Sequence, residues 1–227
     1  MNHRRSQLFK VISTILLICI YHLSFSQNDP KSRSILEKTS SINNGYKSII
    51  AEFSVVTSNI KDNETSTEKG KISIKGDKYH LSFMNSEIIF DGKDVYNYQP
   101  GSNELTITFP EPTKNENGAF LISNPKDIFK FYTKNFKSQF LKETTIKGKT
   151  CFEIDLYPND LETIYSRIRM HIEKTSYHIL DFKIFQKDGI QQTIEFSVFK
   201  TNTEIPDSEF GFDQKKYPGI IVNDMRF

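Results

Sequence analysis

The chain has 227 residues but no tryptophan and only two cysteines, Cys19 and Cys151. Cys19 lies in a leading segment that we expect to be removed, so the mature chain keeps a single thiol. One thiol cannot form an internal disulfide, which excludes a small fold stapled by disulfides. Cys151 lies between Thr150 and Phe152 and is expected to be a buried apolar residue on a strand.

Motifs of the common catalytic and cofactor-binding sites are also missing. The sequence contains no Gly-x-Ser-x-Gly elbow, no His-Glu-x-x-His run and no glycine-rich dinucleotide or phosphate loop. After the leading segment three scattered histidines remain, at spacings that are not typical of a metal site: His80, His171 and His178. We therefore expect no enzyme, no cofactor and no metal site. A hydrolase with paired carboxylates is the remaining catalytic alternative.

Residues 1–26 have the three parts of a secretory signal peptide. A basic start around Arg4 is followed by an apolar stretch over residues 11–23. Ser24 and Ser26 then supply the small side chains that signal peptidase accepts, which predicts cleavage after Ser26. An uncut membrane anchor is the alternative, but spanning a bilayer takes about 20 apolar residues and this stretch is shorter.

The mature chain, residues 27–227, is predicted to be one exported domain. Lipidation at Cys19 is not expected, because a small residue should precede the modified cysteine and Ile18 is large and branched. The signal holds three of the 30 basic residues and no acidic one, so the mature net charge is −1. This charge balance offers no concentrated basic patch and excludes a nucleic-acid partner.

The first half of the mature chain indicates one helix and a meander of strands. Asp29 and Pro30 are typical of a helix start, and apolar residues at helical spacing predict a short helix over residues 30–43. Hydrophobic residues then alternate with polar ones between residues 49 and 109, interrupted by turns such as Asp91-Gly92. This pattern predicts about six short antiparallel strands.

The pattern changes in the middle of the chain and then resumes. Residues 111–118 are polar and predict a loop, whereas Asn124-Pro125 repeats the helix-start signal before a second predicted helix over residues 128–136. Phe210 and Phe212 are expected to add a short pairing at an edge of the sheet. Further strands are predicted at residues 140–146, 152–156, 168–172, 180–184 and 194–198.

About ten alternating strands predict one large antiparallel sheet with an apolar face. Such a sheet curls because strand twist accumulates, and two short helices are available to cross its mouth. The mature chain has 17 phenylalanines, most of them expected in the core. A curled sheet filled only by small helices leaves apolar volume that favours a hydrophobic ligand. A secreted β-sandwich binding or adhesion module with a solid core is the alternative.

Several short stretches resemble the LolA-type periplasmic carriers of outer-membrane lipoproteins. Residues 88–100, a strand, an Asp-Gly-Lys turn and an aromatic strand, carry the clearest resemblance. Residues 49–53 and 70–74 are similar to the first two strands of that family, and residues 118–122 are similar to its lid. Matching pieces thus occur in order over nearly the whole mature chain. They end with a closing stretch at residues 210–212 and 219–226.

The resemblance implies a mainly β (α+β) fold, an incomplete curled antiparallel β-barrel of about ten to eleven strands. Short helices form a lid over an apolar cavity. It implies a monomeric periplasmic carrier that takes acylated lipoprotein cargo from an inner-membrane exporter complex to an outer-membrane acceptor. A sensor or acceptor of the same fold without a carrier role is the alternative. The residues expected to bind lipid are Phe53, Ile74, Leu81, Phe83, Phe120, Leu121, Ile122 and Phe129.

One feature departs from the family pattern. The carriers have an arginine after the second strand that holds the lid closed by hydrogen bonding. This sequence has no arginine in the corresponding residues 75–78. Lys75 and Lys78 are the candidates to replace it, although an ammonium group lacks the planar set of donors of a guanidinium.

Overall fold

A computed structural model describes residues 29–59, 61–110 and 128–227 of the chain. The predicted signal peptide, the segment 118–122 and the Asn124-Pro125 pair lie outside these residues. One α-helix and twelve strands are described: α1 Pro30–Asn44, β1 Ser48–Asn59, β2 Glu64–Lys75, β3 Lys78–Phe83, β4 Ser86–Phe90, β5 Val95–Gln99, β6 Glu104–Thr108, β7 Phe136–Ile146, β8 Lys149–Pro158, β9 Tyr165–Glu173, β10 Ile179–Gln186, β11 Ile190–Thr201 and β12 Ile221–Asp224.

All twelve strands belong to one sheet in the order β12-β6-β5-β4-β3-β2-β1-β11-β10-β9-β8-β7. Neighbours are antiparallel except β12, which runs parallel to β6. The sheet is curled and not closed, with β12 and β7 as its edges. Bulges in β7, β9, β10 and β11 add to the strand twist that curls it. The predicted fold is therefore confirmed, with one strand more than expected.

Helix α1 begins and ends where the sequence indicates. Asp29 caps its start, since Oδ1 of Asp29 accepts a hydrogen bond from the backbone N of Lys31 at 3.0 Å, and Pro30 occupies the first turn. The other Asp29 oxygen accepts from the backbone N of Phe140 at 2.8 Å. The cap therefore also attaches the start of the helix to the edge strand β7.

The second predicted helix, over residues 128–136, is wrong in the part that the structure describes. Only short 3-10 turns occur there, including Phe131–Thr133, and β7 has already begun at Phe136. The chain leaves helical geometry at Lys134, whose φ of −136° and ψ of 155° are extended, and Asn135 follows with a left-handed φ of 66°. Asparagine tolerates this conformation better than most residues, so it serves as the break before β7.

The predicted edge pairing at Phe210 and Phe212 is also wrong. Asp207–Phe210 forms a 3-10 turn, and the edge strand is β12 instead. The segment 205–220, here called the C-terminal cover, lies on the outer face of β2–β6 and leads into β12. Phe210 is buried at 1 % exposure, and the Tyr217 ring packs 4.5 Å from that of Tyr98.

The outer face of β8–β10 carries an ion-pair network of outward side chains. Asp155 accepts hydrogen bonds from Nε of Arg169 at 2.8 Å and from Nη1 of Arg167 at 3.1 Å. His171 lies between Asp181, at 2.6 Å from its Nδ1, and Glu153, at 3.2 Å from its Nε2. The network consists of Glu153, Asp155, Arg167, Arg169, His171 and Asp181.

Candidate functional site: the inner face of the sheet

The inner face of the sheet is one continuous apolar surface. Alternate residues of β1–β4 and β8–β11 belong to a single buried cluster that also includes residues of α1 and of the segment 128–132. Alternation places these residues on one face because successive side chains of a strand point to opposite sides. The sheet therefore offers a long concave apolar wall rather than a local hydrophobic patch.

Five of the eight residues expected to bind lipid lie in this cluster. They come from four separate segments of the chain and are all buried: Phe53, Ile74, Leu81, Phe83 and Phe129. The other three, Phe120, Leu121 and Ile122, lie outside the described residues. The predicted lipid-binding residues on β1–β3 therefore point to the inner face, and the structure brings all five residues onto a shared surface.

Aromatic rings connect the two halves of this surface. The Phe53 ring lies 5.5 Å from that of Phe83 and 6.4 Å from that of Phe196. Phe196 in turn lies 5.3 Å from Phe129 and 5.9 Å from Phe182. Phe182 and Phe196 were not expected as site residues. Their strand alternation was visible in the sequence, but nothing in it showed that β11 pairs with β1.

Gly70 marks the closest packing on the inner face. It lies opposite Phe53 in the β1–β2 pair, and a Cβ built on Gly70 would lie 2.4 Å from Cζ of Phe53. Glycine is needed here because the Phe53 ring occupies the space that a side chain would fill. The ring also packs against that of Phe83, so a side chain at residue 70 would displace it.

Helix α1 crosses the inner face and is fastened at both ends. At its start Oγ of Ser32 lies 2.8 Å from Oγ of Ser138 on β7. At its end Nδ2 of Asn43 donates to the backbone O of Phe129 and to the Tyr132 hydroxyl, both at 3.2 Å. Burial raises the pKa of Tyr132 well above its ordinary value, so this phenol stays protonated.

Two clefts flank the end of α1. One of about 690 Å³ lies between the helix and the start of β7 and is lined by Leu36, Ser40, Tyr132 and Phe136 among others. The other, of about 200 Å³, is lined by Asn43, Ile74 and Phe129 among others. The segment 128–133 separates them, and hydrogen bonds from one helix residue hold it in place.

The two lysines considered as substitutes for the lid arginine are not at the inner face. Nζ of Lys75 donates to the backbone O of Ile205 and to Oδ1 of Asp207, both at 2.9 Å, and Nζ of Lys78 lies 3.8 Å from the same carboxylate. Both side chains therefore hold the C-terminal cover on the outer face. The contact that fastens the segment 128–133 comes instead from Asn43.

The sequence also matches a known protein family. The sequence model of the family described as outer membrane lipoprotein carrier protein LolA matches residues 44–213. The chain belongs to the LolA family. The match runs from the end of α1 to the C-terminal cover and includes the described strands β1–β11. Membership supports a role in binding lipoproteins in general terms.

The relatives of this LolA-family chain are distant in sequence. An outer-membrane lipoprotein carrier protein of Pseudomonas putida strain GB-1 is 23% identical over 215 residues, which cover 93% of this chain and 96% of the relative. An uncharacterized protein of Methanocaldococcus jannaschii is 22% identical over 204 residues, which cover 90% of this chain but only 57% of that protein.

A solved structure shares the fold. It is an uncharacterized conserved protein from Thermus thermophilus, with a TM-score of 0.53 and 12% identity, covering 87% of this chain and 99% of that one. No helix in the described part of the chain has both the length and the hydropathy needed to cross a membrane. Nor do the described residues contain a group of three or more potential metal ligands.

Proposed function

We propose that this member of the LolA family carries lipoproteins through the periplasm and shelters their acyl chains against the inner face of the sheet. The observation that carries the proposal is the continuous apolar inner face of a curled sheet that is not closed. Each methylene moved from water to apolar surroundings contributes about 0.8 kcal/mol, so one long acyl chain gains on the order of 10 kcal/mol. Such a gain allows an acylated protein to cross an aqueous compartment.

The part of the chain that lies over the inner face supports the proposal, because few hydrogen bonds attach it to the sheet. Helix α1 meets the edge strand β7 through side-chain hydrogen bonds of Asp29 and Ser32, and Asn43 joins the helix to the segment 128–133. Moving them apart leaves every strand pair intact. In the proposed mechanism Phe120, Leu121 and Ile122 move with Phe129 as the lid. Phe53, Ile74, Leu81 and Phe83 form the fixed wall.

The proposal also covers the route and the partners. Residues 1–26 direct export and are removed, and the mature chain works as a monomer without a cofactor. It receives cargo from an inner-membrane exporter complex and delivers it to an outer-membrane acceptor. The chain acts by binding and release and carries out no catalysis, and no nucleic acid is involved.

Extraction of a lipopeptide from vesicles tests this function. The mature chain, purified from periplasm, is mixed with phosphatidylcholine vesicles that contain a synthetic triacylated lipopeptide, and the vesicles are sedimented. We expect the lipopeptide to appear in the supernatant in saturable complex with the protein. A supernatant free of lipopeptide, together with purified protein that carries no lipid by mass spectrometry, would overturn the proposal.

A pair of variants on one strand tests the site. Ile74→Phe adds volume on the inner face, where Ile74 lines the smaller cleft. Displacing about two methylenes of the ligand, at about 0.8 kcal/mol each, weakens binding about tenfold. Lys71→Phe adds an aromatic ring at an exposed position of the same strand and should leave binding unchanged. Equal losses in both variants would contradict the assignment of the inner face.

A further inference from the structure

The buried side of α1 carries three polar residues among its apolar ones, and two of them, Thr39 and Asn43, lie near its end. Thr39 and Asn43 lie one turn apart on the side that also bears Ile35 and Leu36. Thr39 is 0% exposed and Asn43 is 4% exposed. Polar groups at such a depth are unfavourable unless they are hydrogen-bonded, and buried polar groups in proteins are nearly always paired. These two residues are therefore expected to have partners.

The orientation of the Asn43 amide leaves its oxygen without one. The backbone O of Phe129 can only accept a hydrogen bond, so the group 3.2 Å from it must be the amide nitrogen, Nδ2. Nδ2 also donates to the Tyr132 hydroxyl. Within the described part of the chain, Oδ1 of Asn43 is buried and has no hydrogen-bond partner.

The Thr39 hydroxyl also has no hydrogen-bond partner among the described residues. Threonine in a helix commonly donates to the backbone carbonyl three or four residues earlier. Oγ1 of Thr39 makes no such bond, nor any other among the described residues. Residues four apart on a helix have Cβ atoms about 5–6 Å apart. The two unpaired groups are therefore neighbours on the buried side of the helix.

The smaller cleft reaches Asn43, the second residue of this pair. Asn43 lines the cleft of about 200 Å³ together with the apolar side chains of Ile49, Ile74 and Phe129. Its rim contains Lys47 and Lys130, which are both exposed. An acyl chain against the apolar wall would thus pass a hydrogen-bond acceptor before it reaches solvent.

We propose that Asn43 forms a polar anchor for the amide linkage of an N-acylated ligand, a proposal that rests on the carrier function above. Oδ1 of Asn43 requires a donor, and the N–H of a secondary amide supplies one whereas an ester does not. The site therefore recognises the bond by which the acyl chain is attached, in addition to the chain itself.

The sharpest test compares two ligands that differ by one group. An N-palmitoyl dipeptide and its ester isostere, with oxygen in place of the amide N–H, are titrated into the purified mature chain. The ester leaves Oδ1 of Asn43 unpaired, so we expect the amide to bind about five- to tenfold more tightly. N-palmitoyl ethylamine distinguishes the source, because equal binding shows that the amide alone is read and weaker binding shows that the peptide contributes as well. Equal affinity for amide and ester would overturn the anchor while leaving the carrier function intact, whereas binding of neither ligand contradicts the carrier function.

Variants test the role of Asn43. Asn43→Leu should abolish the preference for the amide, and Tyr132→Phe, which loses one of the two hydrogen bonds that fasten the segment 128–133, should keep it. Thr39→Val removes the other unpaired group of the helix, so it should keep the preference for the amide and raise the melting temperature of the ligand-free protein. Ser34→Ala, at an exposed position of the same helix, is the control for both readouts. A preference for the amide that survives in Asn43→Leu, or that is lost in Thr39→Val, would overturn the assignment of the anchor to Asn43.

Discussion

The two halves of the sheet share one inner face but protect their outer faces differently. On β2–β6 the outward side chains include apolar residues such as Leu105 and Ile107, and the C-terminal cover packs on that face. On β8–β10 the outward side chains are charged and pair with one another. One half thus depends on a distant part of the chain, whereas the other depends on its own strands.

This difference predicts that the two halves of the sheet respond differently to mutation, salt and pH. A cover held by buried rings loses apolar contacts when one ring is removed, and the loss does not depend on salt or pH. A network of partly exposed ion pairs is weakened by salt and by any change that leaves one charge without its partner. Three experiments, taken in order of decreasing effect, test whether the halves differ in this way.

The largest effect is expected for Phe210→Ala in the C-terminal cover. Phe210 is a buried residue of the cover itself, 1% exposed, and removing a buried phenylalanine costs about 3–5 kcal/mol of stability. Urea unfolding followed by circular dichroism measures the loss. Phe227→Ala is the matched control, since Phe227 is fully exposed and should not shift the midpoint. If the two variants unfold at the same urea concentration, the cover does not contribute to folding as argued.

A smaller effect is expected for Asp155→Asn in the ion-pair network. The Asp155 side chain is 1% exposed and accepts hydrogen bonds from two arginines. The neutral amide removes the carboxylate that both guanidinium groups contact and leaves Arg169 with the more distant Glu153, at 3.5 Å. We expect a cost of about 2–3 kcal/mol, because the arginines themselves remain partly exposed. The loss should be smaller in 1 M salt, unlike that of Phe210→Ala.

Glu68→Gln is the control for this second experiment. It makes the same change from carboxylate to amide at an exposed position of β2 and should stay within about 0.5 kcal/mol of the parent protein. A loss for Asp155→Asn no larger than that of this control would show that β8–β10 do not depend on their network.

The comparison also explains how much of the fold could be predicted. Alternation in β1, β3 and β8 identified the inner face, because a period of two leaves each strand one apolar side. The same alternation placed Phe53, Leu81 and Phe83 on one surface. For these residues local pattern and burial agree, so reasoning from the sequence was sufficient.

The C-terminal cover could not be predicted in the same way. It contains Pro206, Gly211, Pro218 and Gly219 and shows no hydrophobic period, so no local pattern indicates where it packs. The edge strand β12, which follows the cover, has four exposed residues. The parallel pairing of β12 with β6 depends on contacts more than 100 residues apart in the sequence. Such pairings are set by the whole fold and not by propensity.

The polar groups of the candidate site were missed for a related reason. Thr39 belonged to the predicted helical face, but sequence alone treats a threonine there as one more tolerated residue. The position of Asn43 gains meaning only when Phe129 and Tyr132, nearly 90 residues away, are brought against it. The prediction of a helix over residues 128–136 was wrong because the sequence does not reveal that Lys134 is extended and that Asn135 is left-handed.

The smallest effect concerns two histidines whose pKa values move in opposite directions. Burial lowers the pKa of His171, but the hydrogen bonds and charges of Asp181 and Glu153 outweigh it, so its pKa is raised above 6.5. Burial lowers the pKa of His178, whose Nε2 lies 2.8 Å from the Tyr46 hydroxyl. One belongs to the ion-pair network and the other lies beside the end of α1.

Linkage gives the two residues opposite pH dependences. The stabilisation from His171 is complete below pH 6.5, the ordinary pKa of histidine, and is lost as the pH rises through its raised pKa. The stabilisation from His178 is present above pH 6.5 and is lost as the pH falls through its lowered pKa. Melting temperatures of His171→Gln and His178→Gln between pH 5 and 9, set against the parent, separate the two. We expect His171→Gln to lose about 1 kcal/mol or less on the acid side and nothing at high pH, as for partly exposed pairs. His178→Gln should be less stable than the parent at high pH, and this difference should shrink or change sign toward acid pH, where the parent loses the stabilisation from His178. Parallel pH profiles for the two variants would contradict the assignment of a charged network to one half alone.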